Sequence, residues 1–276
     1  MSDTGFKACR PMRRSHRAAG VVISAIASIC LSNNVNAQDI GQFSISSGFD
    51  YANGNFGSSS DTDFWRIPIT ASYDTGPWAF WVTVPYVHIK GPGAVVGGTD
   101  GILVVNGAAA APVTKKGGLG DVVASASYTI IPSAVLMPYI ELTGKIKFPT
   151  ADEDDGLGTG KFDYTIQADF FQSIGKIAPY VTIGYRFHGD GSSLDLKDTL
   201  LVSAGFGYQL RQDWSAGFTY DHRKATSSTS TDAHELVPYV SWRPLSDWSL
   251  NLYGVIGLSD GSPDAGVGLQ IKYFAP

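Results

Sequence analysis

Trp78-Ala-Phe-Trp-Val-Thr-Val-Pro-Tyr86 is the stretch on which the fold turns. Read with period two, it places Trp78, Phe80, Val82, Val84 and Tyr86 on one face. Aromatic rings close that face at both ends, and aliphatic side chains fill its middle. A β-strand sends successive side chains to opposite sides. About nine to eleven residues of tilted strand cross the hydrocarbon layer of a bilayer. A strand face with rings at both ends and aliphatics between matches a membrane wall with an interface on each side.

The pattern repeats outward from this stretch. Towards the N-terminus it runs over Phe43–Tyr51 and Trp65–Tyr73. Towards the C-terminus it runs over Val122–Tyr128, Ile140–Phe148, Phe162–Phe170, Val181–Phe187 and Leu200–Tyr208. It continues over Trp214–Tyr220, Leu236–Trp242, Trp248–Ile256 and Val267–Tyr273. Every second residue of each segment is uncharged. The charges fall on the other face: Asp50, Arg66, Asp121, Glu141, Lys145, Lys147, Asp163, Asp169, Arg186, Asp221, Arg223, Arg243 and Lys272. These are predicted to face a polar lumen.

A soluble sandwich also alternates, but it has no reason to sort its rings by depth. Here Tyr73, Trp78, Tyr128, Phe170, Tyr208, Trp214, Trp242, Trp248 and Tyr273 all adjoin the connections at one end. Trp65, Tyr86, Phe148, Phe162, Phe187 and Tyr220 approximate a second girdle. Tight connections at 74–76, 172–176, 209–213 and 243–247 alternate with longer polar ones at 52–64, 89–118, 149–161, 189–198 and 223–234. The expected fold is all-β: a transmembrane, antiparallel, up-and-down β-barrel of about 12 strands. Its short turns and both termini face the periplasm, in the cell outer membrane of a Gram-negative cell.

Residues 1–37 read as a signal peptide and residues 38–276 as the barrel. Lys7, Arg10, Arg13, Arg14 and Arg17 form a basic start, Ala18 to Leu31 a short apolar run, and Val35-Asn-Ala37 a cleavage site before Gln38. Both cysteines, Cys9 and Cys30, belong to the removed part, so no disulfide or cysteine metal site is expected. Removing its five basic residues and one acidic residue leaves 15 basic and 24 acidic, a net charge of −9. That charge speaks against nucleic acid as a partner. The expected partners are outer-membrane lipid and lipopolysaccharide, a small-molecule solute, and the barrel-assembly machinery. The last would read the terminal Gly266-Val-Gly-Leu-Gln-Ile-Lys-Tyr273, although the chain continues through Phe274 to Pro276.

Three segments carry a resemblance: Gly118-Leu-Gly-Asp-Val122, Gly144-Lys-Ile-Lys-Phe-Pro-Thr150, and Gly156-Leu-Gly-Thr-Gly160 followed by Asp163. In order and spacing they resemble the barrel family labelled "putative MetA-pathway of phenol degradation", many of whose members are named simply "transporter". Ala151 stands where the family usually has glycine after Pro-Thr. The resemblance implies uptake of aromatic or other hydrophobic small molecules.

Asp121, Lys145 and Lys147 share one side of the wall, as an internal salt-bridge network or as a selectivity contact. The acidic run Asp152-Glu-Asp-Asp155 lacks EF-hand spacing, as a solvated loop or a divalent-cation site near lipopolysaccharide. Loop 89–118 is the longest; it either moves freely outside or folds into the mouth. The leading expectation is an outer-membrane channel or transporter with no cofactor and no metal. A structural or adhesive barrel is the alternative. A lipid-modifying enzyme ranks lower: His188 and His222 with Ser192 and Ser193 make a weak nucleophile set, no Gly-x-Ser-x-Gly occurs, and no histidine pair has zinc spacing.

Overall fold

The computed structural model describes residues 41–93, 95–98, 101–104, 112–134, 137–189 and 195–276. The expected signal peptide, both cysteines and Gln38 lie outside the described residues, as do Ser192 and Ser193. The described chain has fifteen strands and no helix. In order they are β1 (Gln42–Gly54), β2 (Thr62–Thr75), β3 (Trp78–Gly91), β4 (Val95–Gly98), β5 (Gly101–Val104), β6 (Thr114–Leu119), β7 (Val122–Ile130) and β8 (Tyr139–Phe148). Then follow β9 (Asp163–Phe171), β10 (Ile177–Phe187), β11 (Thr199–Gln209), β12 (Trp214–Arg223), β13 (Ala233–Leu245), β14 (Trp248–Gly257) and β15 (Ala265–Phe274).

Each barrel strand pairs antiparallel with its sequence neighbours, and β1 pairs with β15, from Ser44↔Phe274 to Asn53↔Ala265. β6 and β7 both pair with β3, end to end, so they fill one place in the ring. The result is a closed antiparallel barrel of twelve strand positions, with β4 and β5 forming a separate hairpin. Closure pairs every edge, which a bilayer demands because lipid offers no hydrogen bonds to stray backbone groups.

The alternation decides which face is which. Phe43, Ile69, Val82, Leu142, Ile166, Ile183, Leu252 and Val267 are exposed on the outside of the wall. Ser44, Thr70, Thr83, Thr143, Thr182, Ser203, Thr219 and Lys272 are buried on the inside. At the turn end the outward rings meet across strands: Trp78 with Tyr128 at 4.8 Å, Trp214 with Trp242 at 5.3 Å and Trp248 with Tyr273 at 5.0 Å.

Strands end later than alternation alone suggests. β1, β2 and β3 run to 13 or 14 residues, so the expected 52–64 loop contracts to 55–61. β6 prolongs the ladder with β3, and the expected 89–118 loop contracts to 92–113. Beyond the bilayer nothing forces one face to be apolar, so pairs such as Asn53↔Asp63 continue the sheet unseen in the pattern. At the other end β13 runs to Leu245 through an irregularity after Trp242, leaving a turn of Ser246 and Asp247. Residues 258–264 add a sixth outer connection that alternation does not flag.

Candidate functional site

The inner wall is organised around a few buried charges. At the outer ends of β7, β8 and β9, Lys147 lies 3.0 Å from both Asp121 and Asp163, with none of its side chain exposed. Its ammonium also donates to the Thr159 hydroxyl. Asp121 accepts the Ala151 N–H at 3.0 Å, and Asp163 accepts the Gly189 N–H at 3.2 Å. His188 stands 3.5 Å from Asp163 through Nδ1 and 3.3 Å from the Thr199 hydroxyl through Nε2. Gly158 passes so close to the Asp121 carboxylate that a Cβ there would lie 2.7 Å from an oxygen. The glycine-rich run Gly156–Gly160 therefore folds back onto the wall.

A second group spans the seam between the first and last strands. Arg66 pairs with Asp50 at 2.8 Å, and the Tyr253 hydroxyl donates to the other Asp50 oxygen. Arg223 pairs with Glu235 nearby. These groups border a narrow recess of about 20 Å3 that Phe56, Phe64, Val104 and Val255 also line. Other expected lumen residues lie elsewhere along the inner wall. Glu141 accepts from Thr129 at 3.3 Å, Asp169 accepts from Thr182 at 2.6 Å, and Arg186 donates to Thr165 at 3.4 Å. Lys145 is half-buried and outside the Lys147 trio. Arg243 sits at the turn end, donating to the Ser246 carbonyl and lying 5.0 Å from the Phe274 ring centre. The structure thus gathers Asp121, Lys147 and Asp163 at the outer end, and sets Glu141 directly opposite Asp169 in the β8–β9 register.

Sequence reasoning missed that part of the inner wall is apolar. Val237, Tyr239, Tyr253 and Val255 form a buried cluster on adjacent inward positions of β13 and β14. Glycines clear room for the rings: a Cβ on Gly217 would meet the Tyr239 ring at 2.7 to 2.8 Å, and one on Gly268 would meet the Tyr253 ring at 2.1 Å. Gly217 pairs with Tyr239 in register, and Gly268 with Tyr253. The signal lies in glycine facing tyrosine across strands, and it becomes readable only once register is known.

The mouth is covered. Phe56, Phe64, Val87, Ile89, Val95, Val104 and Leu157 form one buried cluster. It joins the 55–61 loop, the outer ends of β2 and β3, the β4–β5 hairpin and the 149–162 loop. Phe56 reaches it from a left-handed backbone, φ 50°, a conformation whose cost of about 1–3 kcal/mol its burial offsets. On the far side the Thr226 hydroxyl donates to the Val104 carbonyl at 2.6 Å.

On the outside of the rim, β12 and β13 bring His222 opposite His234, with ring centres 4.6 Å apart. Asp232 lies 3.3 Å from His222. The Ala225 N–H on the Asp232 carboxylate, with Lys224 beside it, lowers its pKa to about 2. The acidic run is partly engaged: Asp155 pairs with Lys116, and Asp152 accepts the Asp155 N–H at 3.1 Å.

The same architecture occurs in solved structures. The COG4313 outer membrane channel from Pseudomonas putida F1 aligns over 87% of this chain and 97% of its own, with 13% identity and a TM-score of 0.63. The KdgM porin aligns over 83% and 98%, with 10% identity and a TM-score of 0.52. The translocator domain of the autotransporter NalP from Neisseria meningitidis aligns over 86% and 89%, with 10% identity and a TM-score of 0.51. At such identities the likeness is one of fold. A sequence comparison with curated proteins gives no match. The model of the family described as "Putative MetA-pathway of phenol degradation" matches residues 38–274, the whole barrel through the end of β15, and the chain belongs to that family.

Proposed function

We propose that this protein is an outer-membrane channel for small, largely uncharged molecules, aromatic or otherwise hydrophobic, and that it works by transport and not by catalysis. The observation that carries this reading is the recess beneath the hairpin. Its lining combines Phe56, Phe64, Val104, Tyr253 and Val255 with charges already engaged, Asp50 with Arg66 and Arg223 with Glu235. At about 20 Å3 the recess is a narrow gap in the covered mouth, and apolar walls with few polar groups suit an uncharged or hydrophobic solute better than an ion. Charges of both signs that neutralise one another brace a wall, whereas a ring of one sign would select ions. The exposed apolar belt fits outer-membrane lipid, and the segment Gly266–Tyr273 fits recognition by the barrel-assembly machinery. The family description and the fold shared with outer-membrane channels agree with this reading.

Uptake by Gram-negative cells with and without the chain provides the test, because an intact lipopolysaccharide leaflet slows hydrophobic solutes. The chain should speed entry of small neutral aromatic solutes more than entry of carboxylates or sugars of equal size. Equal uptake with and without the chain, for every solute, would overturn the proposal.

A further inference from the structure

We infer that the outer rim carries a site for a divalent transition-metal ion, with His222, Asp232 and His234 as its ligands. One ligand atom from each of these residues lies within 4.8 Å of the others, on the outer face of the barrel wall. His222 follows Tyr220 on the outward face of β12, and the register sets it directly opposite His234 of β13. The two imidazoles stack with centres 4.6 Å apart and planes at 15°, which puts both within reach of one ion, and a rotation about the Cβ–Cγ bond would turn their nitrogens onto it. Asp232 immediately precedes β13, and its Oδ2 already stands 3.3 Å from His222 Nε2, close to the spacing of two ligands on one small ion.

The surroundings fix these groups as a coordination site needs. The Tyr220 hydroxyl lies 2.7 Å from His234 Nδ1, the kind of partner that orients a ligating imidazole through its other nitrogen. Asp232 Oδ1 accepts the Ala225 N–H at 2.9 Å, which anchors the carboxylate and leaves Oδ2 facing His222. The competing cation is Lys224, 3.0 Å from Oδ2, on a side chain more than half exposed that can swing away. Two imidazoles and one carboxylate form a donor set for Zn2+ or Cu2+; Mg2+ and Ca2+ prefer all-oxygen sites. Such a site would bind metal whether or not the barrel conducts solutes. The ion would sit beside loop 224–232, whose Thr226 holds the hairpin.

Isothermal titration of Zn2+ into the untagged barrel in detergent tests it. One Zn2+ per chain should bind, and a large excess of Mg2+ or Ca2+ should leave binding intact. H222N and H234N should each weaken it by at least about tenfold, while H88N should not. Heat-modifiable migration on gels checks that each variant is folded. Should a variant fail to fold, the wild type alone decides: Zn2+ should shield His222 and His234, but not His88, from carbethoxylation read by peptide mass spectrometry. Absence of Zn2+ binding, unchanged affinity in folded H222N or H234N, displacement by Ca2+, or shielding that does not single out His222 and His234 would overturn the inference.

Discussion

Lys147 holds a positive charge in a place no water reaches, and Asp121 and Asp163 each stand 3.0 Å away. Desolvating such a group is repaid only while both partners remain. K147Q would strand two carboxylates beside each other. It should therefore destabilise the barrel by about 3–5 kcal/mol in equilibrium unfolding from lipid vesicles, the usual cost of breaking a buried pair. K145Q, on a half-buried residue of the same strand, should cost far less. Equal losses would mean that Lys147 is not a brace. The sequence places both lysines on the lumen side, because 145 and 147 share parity. It does not tell them apart, because depth along the strand decides which one meets Asp163, its direct partner in register. The His222–Asp232–His234 group was illegible for a related reason: the histidines are far apart in sequence and meet only through the β12–β13 register.

Elements were legible where lipid enforces a rule. Along β13, Leu236, Pro238, Val240 and Trp242 face out while Val237, Tyr239 and Ser241 face in. V240R should cost about 2–4 kcal/mol if its depth is near the midplane, since a lipid-facing charge cannot hydrate there. S241R, one residue on, faces the lumen and the Asn251 side chain, 2.7 Å from the serine hydroxyl, and should be much milder. Unfolding measured for both in the same vesicles checks the difference; equal costs would mean that the wall is not immersed in lipid at that level. Where the rule lapses, so does legibility. The β4–β5 hairpin is built from Val95-Val-Gly-Gly98 and Gly101-Ile-Leu-Val104, with no alternation to mark it. The inward Tyr239 and Tyr253 were hidden because the room for their rings comes from Gly217 and Gly268 on neighbouring strands, which register alone brings opposite them.

At the scale of the whole molecule, the ring order sets the consequence of that hairpin. Counting round the barrel, β3 and β12 lie six places apart in a ring of twelve, so they stand on opposite sides. The hairpin follows β3 in the chain and reaches across to Thr226, which follows β12, through the carbonyl of Val104. It is held on the near side by apolar contact with Phe64, Val87 and Ile89. Burying a valine side chain is worth about 1.5–3 kcal/mol, so Val95 and Val104 each help to hold the hairpin against the mouth. In V95D/V104D that gain is lost and two charges face an apolar cluster, whereas in the open position both carboxylates reach water. The barrel wall itself does not depend on either residue, since β4 and β5 pair only with each other. The double variant should therefore keep its heat-modifiable folded band and show a larger single-channel conductance in planar bilayers than the wild type. T226V, which removes one hydrogen bond and leaves the apolar cluster intact, should shift the conductance in the same direction by less. A folded V95D/V104D barrel with unchanged conductance would mean that the constriction lies deeper, on the wall formed by Val237, Tyr239, Tyr253 and Val255, and that the hairpin only covers it.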